Sequence, residues 1–391
     1  MLNPHNQLKT KMIELILSLF FIAMILLYTS WLILVLMPRK EIRGETTYPH
    51  LSVILPAHNE SHIIRETLNA LFRTEYPGSR EIIVVNDGST DGTREILKEL
   101  ALKNKSLRYT NTNHLGKANA LNEGVKNAKG EIIVSLDADS KGWRYALNRA
   151  NSTYIFPGFA AYRREALKAV GGFKEDTLAE DFDIGVRLRK KGYRLVMSNA
   201  VIYTKMPETL RGLMRQRMRW GRGTLQVIKK HPDVPFNKSY GATGIYGIPS
   251  QMYWFLHSFV VIPLTFYQVF EGYLRWFVNY NDYLSMNVAK YIFNWFSVYG
   301  MIDYTQKTLT GQYEFTHLFL LSLVVFLLGL LYSIAVISRV SRMHLRYLFV
   351  IFFFFPYSVF TLASYSFPLI IELFPHRRES SVRVNVWEKN R

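Results

Sequence analysis

The sequence predicts an α/β domain built on a mostly parallel sheet and inserted between membrane-spanning helices. Three observations predict it. Long charge-free runs flank a stretch of about 200 residues of ordinary soluble composition. Within that stretch, short β-branched runs alternate with helical patterns, as βαβ units do. Polar clusters follow three of the strand candidates, where ligands bind in such sheets.

The charge-free runs come first. Residues 15–37 carry no charge and are long enough to cross a bilayer as a helix. Residues 239–270 are charge-free, with 249–270 as the span, and 316–338 form a third run. A fourth, 347–371, is interrupted by Pro356 and Pro368. A buried soluble helix rarely reads apolar on all faces for so long. The first run is too long for a signal-peptide core, and no small-residue cleavage site follows it. Arg39, Lys40 and Arg43 follow instead, which places the next segment in the cytoplasm. Residues 283–300 are aromatic-rich but hold Lys290, and read either as an interface segment or as a span. A multi-pass protein of the plasma membrane with a cytoplasmic soluble domain is expected. The number of spans and the side of the C-terminus stay open.

The predicted organisation is a helix and linker at 1–45 and the α/β domain at 46–204. Amphipathic interface helices follow at 205–235, then membrane spans at 236–375 and a basic tail at 376–391. Lys and Arg outnumber Asp and Glu by 48 to 30, a formal charge of +18. Such a balance suits nucleic acid, anionic lipid or a phosphorylated substrate. Beside the membrane runs, lipid and phosphorylated substrate are favoured, and no nucleic-acid partner is expected. No cysteine is present, which excludes disulfides and thiolate metal sites.

In the soluble stretch, LSVILP (51–56) reads as a strand. SHIIRETLNALF (61–72) has helical spacing, with Ser61 as N-cap. EIIVVN (81–86) is a strand, TDGTREILKELALK (90–103) a helix and 107–111 a third strand. KANALNEGVKNAK (117–129) is helical, and EIIVSLDAD (131–139) is a buried strand ending in two aspartates. His58, Asn59 and Glu60, then Asp87, Gly88 and Ser89, then Asp137 and Asp139, converge on one rim.

Four patterns there carry chemistry. VNDGSTDGT (85–93) puts Asp87 at a strand tip, where it accepts hydrogen bonds from a nucleobase or ribose, or merely shapes an Asx-type turn. DAD (137–139) suits a divalent cation held together with substrate phosphates. AED (179–181) opens a helix. Asp181 there could act as general base, although on spacing alone complementing the helix dipole is the stronger reading. LMRQRMRWGRG (213–223) packs four arginines and Trp220 into eleven residues. Arg211, Arg215, Arg219 and Arg222 share a helix face. They lie on anionic lipid, or meet a diphosphate, or both.

In this order, ILPAHNE (54–60), VNDGSTDGT (85–93), GKANALN (116–122), DAD (137–139), PGFAAYRREALKAVGGF (157–173), AED (179–181) and QRMRW (216–220) resemble the processive, membrane-integrated family 2 glycosyltransferases. These are the cellulose, chitin, hyaluronan and poly-N-acetylglucosamine synthases. The resemblance covers roughly residues 50–230, and QRMRW is its most specific part. It implies a GT-A fold with interface helices and a membrane channel. It implies that Asp87 contacts uridine, helped by Ala57 and Glu60, with Lys117 near the nucleotide. Asp137 and Asp139 would bind the sugar diphosphate and its Mg²⁺ or Mn²⁺. Asp181 would be the catalytic base beside Glu180. Gln216, Arg217, Arg219 and Trp220 would hold the diphosphate and the acceptor end. Two departures stand out. Ala179 replaces the usual threonine, and DAD and AED lie only about 40 residues apart, where the family has a longer segment.

The expected function is inverting transfer from a UDP-sugar to a growing β-linked polysaccharide exported through the same chain. Transfer of one sugar to a membrane lipid is the alternative within enzymes. A non-catalytic basic scaffold for lipid or acidic polymer is the alternative outside them. Sugar, linkage and oligomeric state are not legible.

Overall fold

The computed structural model describes residues 4–37, 47–135, 160–196, 209–295, 297–340 and 354–373. The chain divides into two compact units, 40–140 with 151–248 and 371–391, and 1–39 with 141–150 and 249–370.

The first unit holds the sheet. β1 (Leu51–Ala57), β2 (Arg80–Asp87), β3 (Leu107–Thr112), β4 (Ile132–Ser135) and β5 (Ala160–Arg163) lie in the order β3-β2-β1-β4-β5. All pairs are parallel except β4 with β5. Alternation along the strands splits the core in two, since successive side chains leave opposite faces. Ile54, Ile83, Val85 and Ile133 face one cluster, with Leu121 of α4 (Lys117–Asn127), Leu167 of α5 (Arg164–Ala169) and Ile184 and Leu188 of α6 (Glu180–Lys190). Val53, Leu55, Ile82 and Val84 face the other, with Ile64 and Leu68 of α2 (Ile64–Arg73) and Leu97 and Leu100 of α3 (Thr93–Lys103). Gly124 lets α4 lie close on the sheet; a Cβ there would stand 2.4 Å from Ile54 Cγ2.

Two helix starts differ from expectation. Ser61 does not cap α2, which begins at Ile64 with no side-chain cap. The Ser61 amide instead donates to Asp91 Oδ2 at 3.0 Å, and the Ile63 and Ile64 amides donate to the Glu60 carbonyl. The helix expected from residue 90 starts at Thr93, because Gly92 sits at φ 83°. Asp91, just before the N-cap glycine, closes the turn that leads in, its Oδ1 accepting from the Thr93 amide at 3.1 Å. Beyond the sheet, α7 (Leu210–Lys230) starts where Thr209 Oγ1 accepts from the Gly212 amide.

The second unit is helical. Among the described residues, three segments are long and apolar enough to cross a membrane: Lys11–Leu36 in α1 (Pro4–Leu36), Thr243–Tyr280 around α8 (Ile248–Trp276) and His317–Arg339 in α11 (His317–Val340). Rings from three helices meet in one cluster. Trp31 stacks on Trp254 at 5.9 Å, and Tyr28 and Tyr332 lie against Trp31 at 5.7 and 5.6 Å. The aromatic-rich stretch at 283–300 falls in α9 (Met286–Trp295) and α10 (Val298–Leu309), with Ser297 capping the second. Ten and twelve residues rise about 15–18 Å, short of a hydrocarbon core of roughly 30 Å. Neither crosses a bilayer alone. The last described helix, α12 (Phe354–Leu373), keeps Pro368 inside it, and its final residues, from 371 on, belong to the first unit.

Candidate active site

The rim is set by the carboxyl ends of β1, β2 and β4. Asp87, fully buried at the tip of β2, accepts at Oδ1 from Thr112 Oγ1 (2.7 Å) and the Leu115 amide (2.6 Å). Its Oδ2 accepts from the Gly116 amide at 2.8 Å. Asp87 therefore organises the loop that delivers Lys117 at the start of α4. Gly116, at φ 92°, supplies a backbone conformation that other residues rarely adopt. Ala57 is buried in the β1–β2 ladder, and the Glu60 amide donates to Thr93 Oγ1 at 3.0 Å. His58 and His114 stand beside Asp87. Their rings lie 4.3 Å apart, and His58 Nδ1 is 2.6 Å from the Asp87 carbonyl oxygen.

Lys117 reaches across to α6. Its Nζ lies 2.7 Å from Glu180 Oε1, and both side chains are mostly buried. Asp181 follows, its Oδ1 accepting from the Phe182 amide at 2.8 Å in the first turn of the helix, where negative charge is favoured. Tyr162 of β5 lies between this pair and the end of β4, hydrogen-bonded to the Ser135 side chain. Burial pushes the Tyr162 phenol well up, and the Asp181 carboxylate pushes the same way. Asp183 points elsewhere, to His231 Nε2 (2.9 Å), Lys230 Nζ (2.8 Å) and Arg187 Nε (2.7 Å). Burial alone would raise its carboxyl. The bonds from His231 and Lys230, with the Arg187 charge, hold it well below the usual carboxylate range.

The third component is α7. At about 100° per residue, Gln216, Arg219, Trp220, Gly223, Gln226, Val227 and Lys230 fall within an arc of roughly 120°. The C-terminal part of that face lies on the start of α6. A Cβ on Gly223 would be 2.7 Å from Ala179 Cβ and 2.9 Å from the Ala179 amide nitrogen. Gln216 and Trp220 thus belong to the face that touches the turn before Glu180 and Asp181. Gln216 Oε1 is buried with no hydrogen-bond partner among the described residues. Arg217 stacks over Trp220 at 4.3 Å. Arg222 needs no ligand to balance it, since its Nε donates to Glu372 Oε1 at 2.9 Å.

Asp137 and Asp139 lie outside the described residues, directly after Ser135 of β4. Among the described residues no group of three or more His, Asp or Glu could hold a metal ion. Asp137 and Asp139 are the carboxylates that the sequence leads one to expect around a cation. Carboxylate oxygens completed by substrate phosphates are the donor set that Mg²⁺ takes, so the residues present fit such an ion.

Comparison with known proteins matches residues 52–141 to the glycosyl transferase family 2 model. Residues 144–365, more than half of the chain, match the glycosyl transferase family group 2 model. The chain belongs to the family 2 glycosyltransferases. It is 30% identical over 238 residues to a probable glycosyltransferase, YdaM, of Bacillus subtilis (strain 168), covering 46% of this chain and 57% of that one. It is 29% identical over 248 residues to the poly-beta-1,6-N-acetyl-D-glucosamine synthase of Staphylococcus epidermidis, covering 50% and 58%. The chain thus spans a little over half the length of these curated relatives. A mannosyltransferase from Pyrobaculum calidifontis, solved with GDP-Man and Mn²⁺, superposes with a TM-score of 0.56 at 20% identity, covering 83% of this chain and 97% of that one. This glycosyltransferase accordingly has a GT-A-like mixed sheet with a parallel core.

Sequence reasoning passed over His114, Ser135, Tyr162 and Gln226. Tyr162 reads as one more apolar position of an alternating strand, and only the fold brings it to Asp181.

Proposed function

We propose that this glycosyltransferase moves a sugar from a UDP-sugar to the growing end of a β-linked polysaccharide. It would be a multi-pass membrane protein working from the cytoplasmic face, with the product leaving through its own spans. The observation that carries the reading is the meeting of Lys117 with Glu180 beside Asp181, under the face of α7 that bears Gln216, Arg219 and Trp220. Positive groups for a diphosphate and a carboxylate for a hydroxyl proton then share one rim.

Roles follow from the contacts. Glu180 is engaged with Lys117 and orients its ammonium. Asp181 is the base: it takes the proton of the acceptor hydroxyl as that oxygen bonds to the anomeric carbon from the side opposite the phosphate. The bond from the anomeric carbon to the phosphate oxygen breaks, and UDP leaves with the electron pair. Arg219 and Lys117 stabilise the charge that builds on it. A divalent cation held by Asp137 and Asp139 would neutralise the diphosphate further. Asp87, with Ala57 and Glu60, shapes the nucleoside end. Trp220, backed by Arg217, offers a flat surface to the acceptor sugar, and Gln216 Oε1 an acceptor for one of its hydroxyls.

The relatives named for a poly-N-acetylglucosamine product make UDP-N-acetylglucosamine the first donor to try. The test is UDP release by the purified protein in lipid with Mn²⁺, across several UDP-sugars, with products sized on a gel. Release with one donor and a high-mass product is expected. A product of lipid size would mean single transfer. No release from any donor would overturn the reading.

A further inference from the structure

The turn that carries Glu180 and Asp181 has no helix cap of its own: Ala179 stands at the N-cap of α6 and offers no side-chain hydrogen bond. Something else must hold it. The Leu178 amide donates to Gln226 Oε1 at 2.9 Å, across to α7. The other end of the same amide donates, Gln226 Nε2 to Glu372 Oε1 at 3.0 Å. Glu372 belongs to the same compact unit and also accepts from Arg222 Nε. The polarity fixes the amide. Its oxygen faces a backbone donor and its NH₂ faces a carboxylate, so a flip would set like against like at both ends.

The geometry points to Gln226 as a positioning residue for the catalytic turn, itself oriented by Glu372 and Arg222. It touches neither donor nor acceptor in this assignment. It acts through Leu178, three residues before Asp181, and one helical turn beyond Gly223, whose missing side chain lets α7 approach Ala179. This rests on Asp181 being the base of the transfer reaction proposed above.

The chemistry supplies its own control. Gln226→Leu removes both bonds. Gln226→Glu keeps an acceptor for Leu178 but opposes Glu372. Gln226→Glu combined with Glu372→Gln restores the bond from Leu178 to residue 226 and the bond between residues 226 and 372, now donated by the residue-372 amide; it gives up the Arg222 bond, because Glu372 Oε1 accepts from both Gln226 Nε2 and Arg222 Nε. The full-length protein in lipid is examined in two ways. Hydrogen exchange at residues 177–182 reads the tether without any need for activity. Gln226→Leu should speed exchange there and the double variant should restore protection. Steady-state transfer reads its consequence. In both single Gln226 variants kcat should fall about 10- to 100-fold, with the donor KM little changed, and the swap should recover most of it. Unchanged exchange in Gln226→Leu overturns the tether. Faster exchange with wild-type kcat overturns the positioning role. Loss of activity in the double variant equal to that in the singles, tracking a lower melting temperature, means packing alone and also overturns it. If the wild type transfers no sugar while the exchange pattern is as expected, the tether stands and the transfer reading is what fails.

Discussion

At the scale of single residues, the two adjacent acids have different surroundings, and the roles proposed for them differ accordingly. Glu180 pairs with Lys117, and Asp181 Oδ1 accepts from the Phe182 amide at the helix start. Asp181→Asn is expected to abolish transfer while UDP binding, measured by calorimetry, stays near wild type. Lys117→Met should instead raise the donor KM, and Glu180→Gln should do so partially, since the ammonium loses its anchor but not its charge. Asp183 is a structural acid. Its folded-state pKa is depressed, so its contribution is present above the ordinary carboxylate value and is lost as pH falls through the folded one. Asp183→Ala takes the carboxylate away from Arg187 and His231 and leaves Lys230 to Asp176, and should cost on the order of 3 kcal/mol, read as a lower melting temperature at neutral pH. These distinctions were only partly legible in the sequence. AED marks a helix start with acids, but spacing cannot say which acid meets Lys117, because Lys117 lies 63 positions upstream of Glu180. The same limit hid Glu372, whose partner Arg222 looked uncompensated in an arginine-rich run.

At the scale of elements, β1, β2 and β4 were the most legible part, because burial on both faces makes them continuous apolar runs, whereas β5, half exposed and only four residues long, was not read as a strand. Helix starts were less so. Ser61 looked like a cap, yet the loop after β2 claims its amide through Asp91. α7 was read as amphipathic and basic, with its apolar stripe stressed. The side that matters instead runs through Gly223, where a missing side chain sets the distance to Ala179. Gly223→Ala should therefore push the helix off the catalytic turn, lowering both melting temperature and kcat, with a stability loss of about 1–3 kcal/mol. Unchanged kcat in that variant would show that the fit of α7 on α6 does not matter to the reaction.

At the scale of the whole molecule, three apolar helices predict a protein that stays with membranes through high-salt and alkaline washes and is released only by detergent. Recovery in the salt wash would contradict this. The side on which each end lies was not readable, since competing assignments each leave arginines on the unfavoured side. The chain has no cysteine, so single cysteines placed before α1 and after α12 can be labelled one at a time in sealed vesicles to assign them. The shared face of α7 also constrains how the chain could change in length over its history. A residue added or lost between Trp220 and Gly223 would turn one end of the helix by about 100° against the other and part Gln216 from the catalytic turn. Two full turns, seven residues, would nearly restore the phase but displace Gln216 by about 10 Å along the axis. Length variation belongs outside such a helix; along α7 it is locked out, much as a reading frame tolerates no slip.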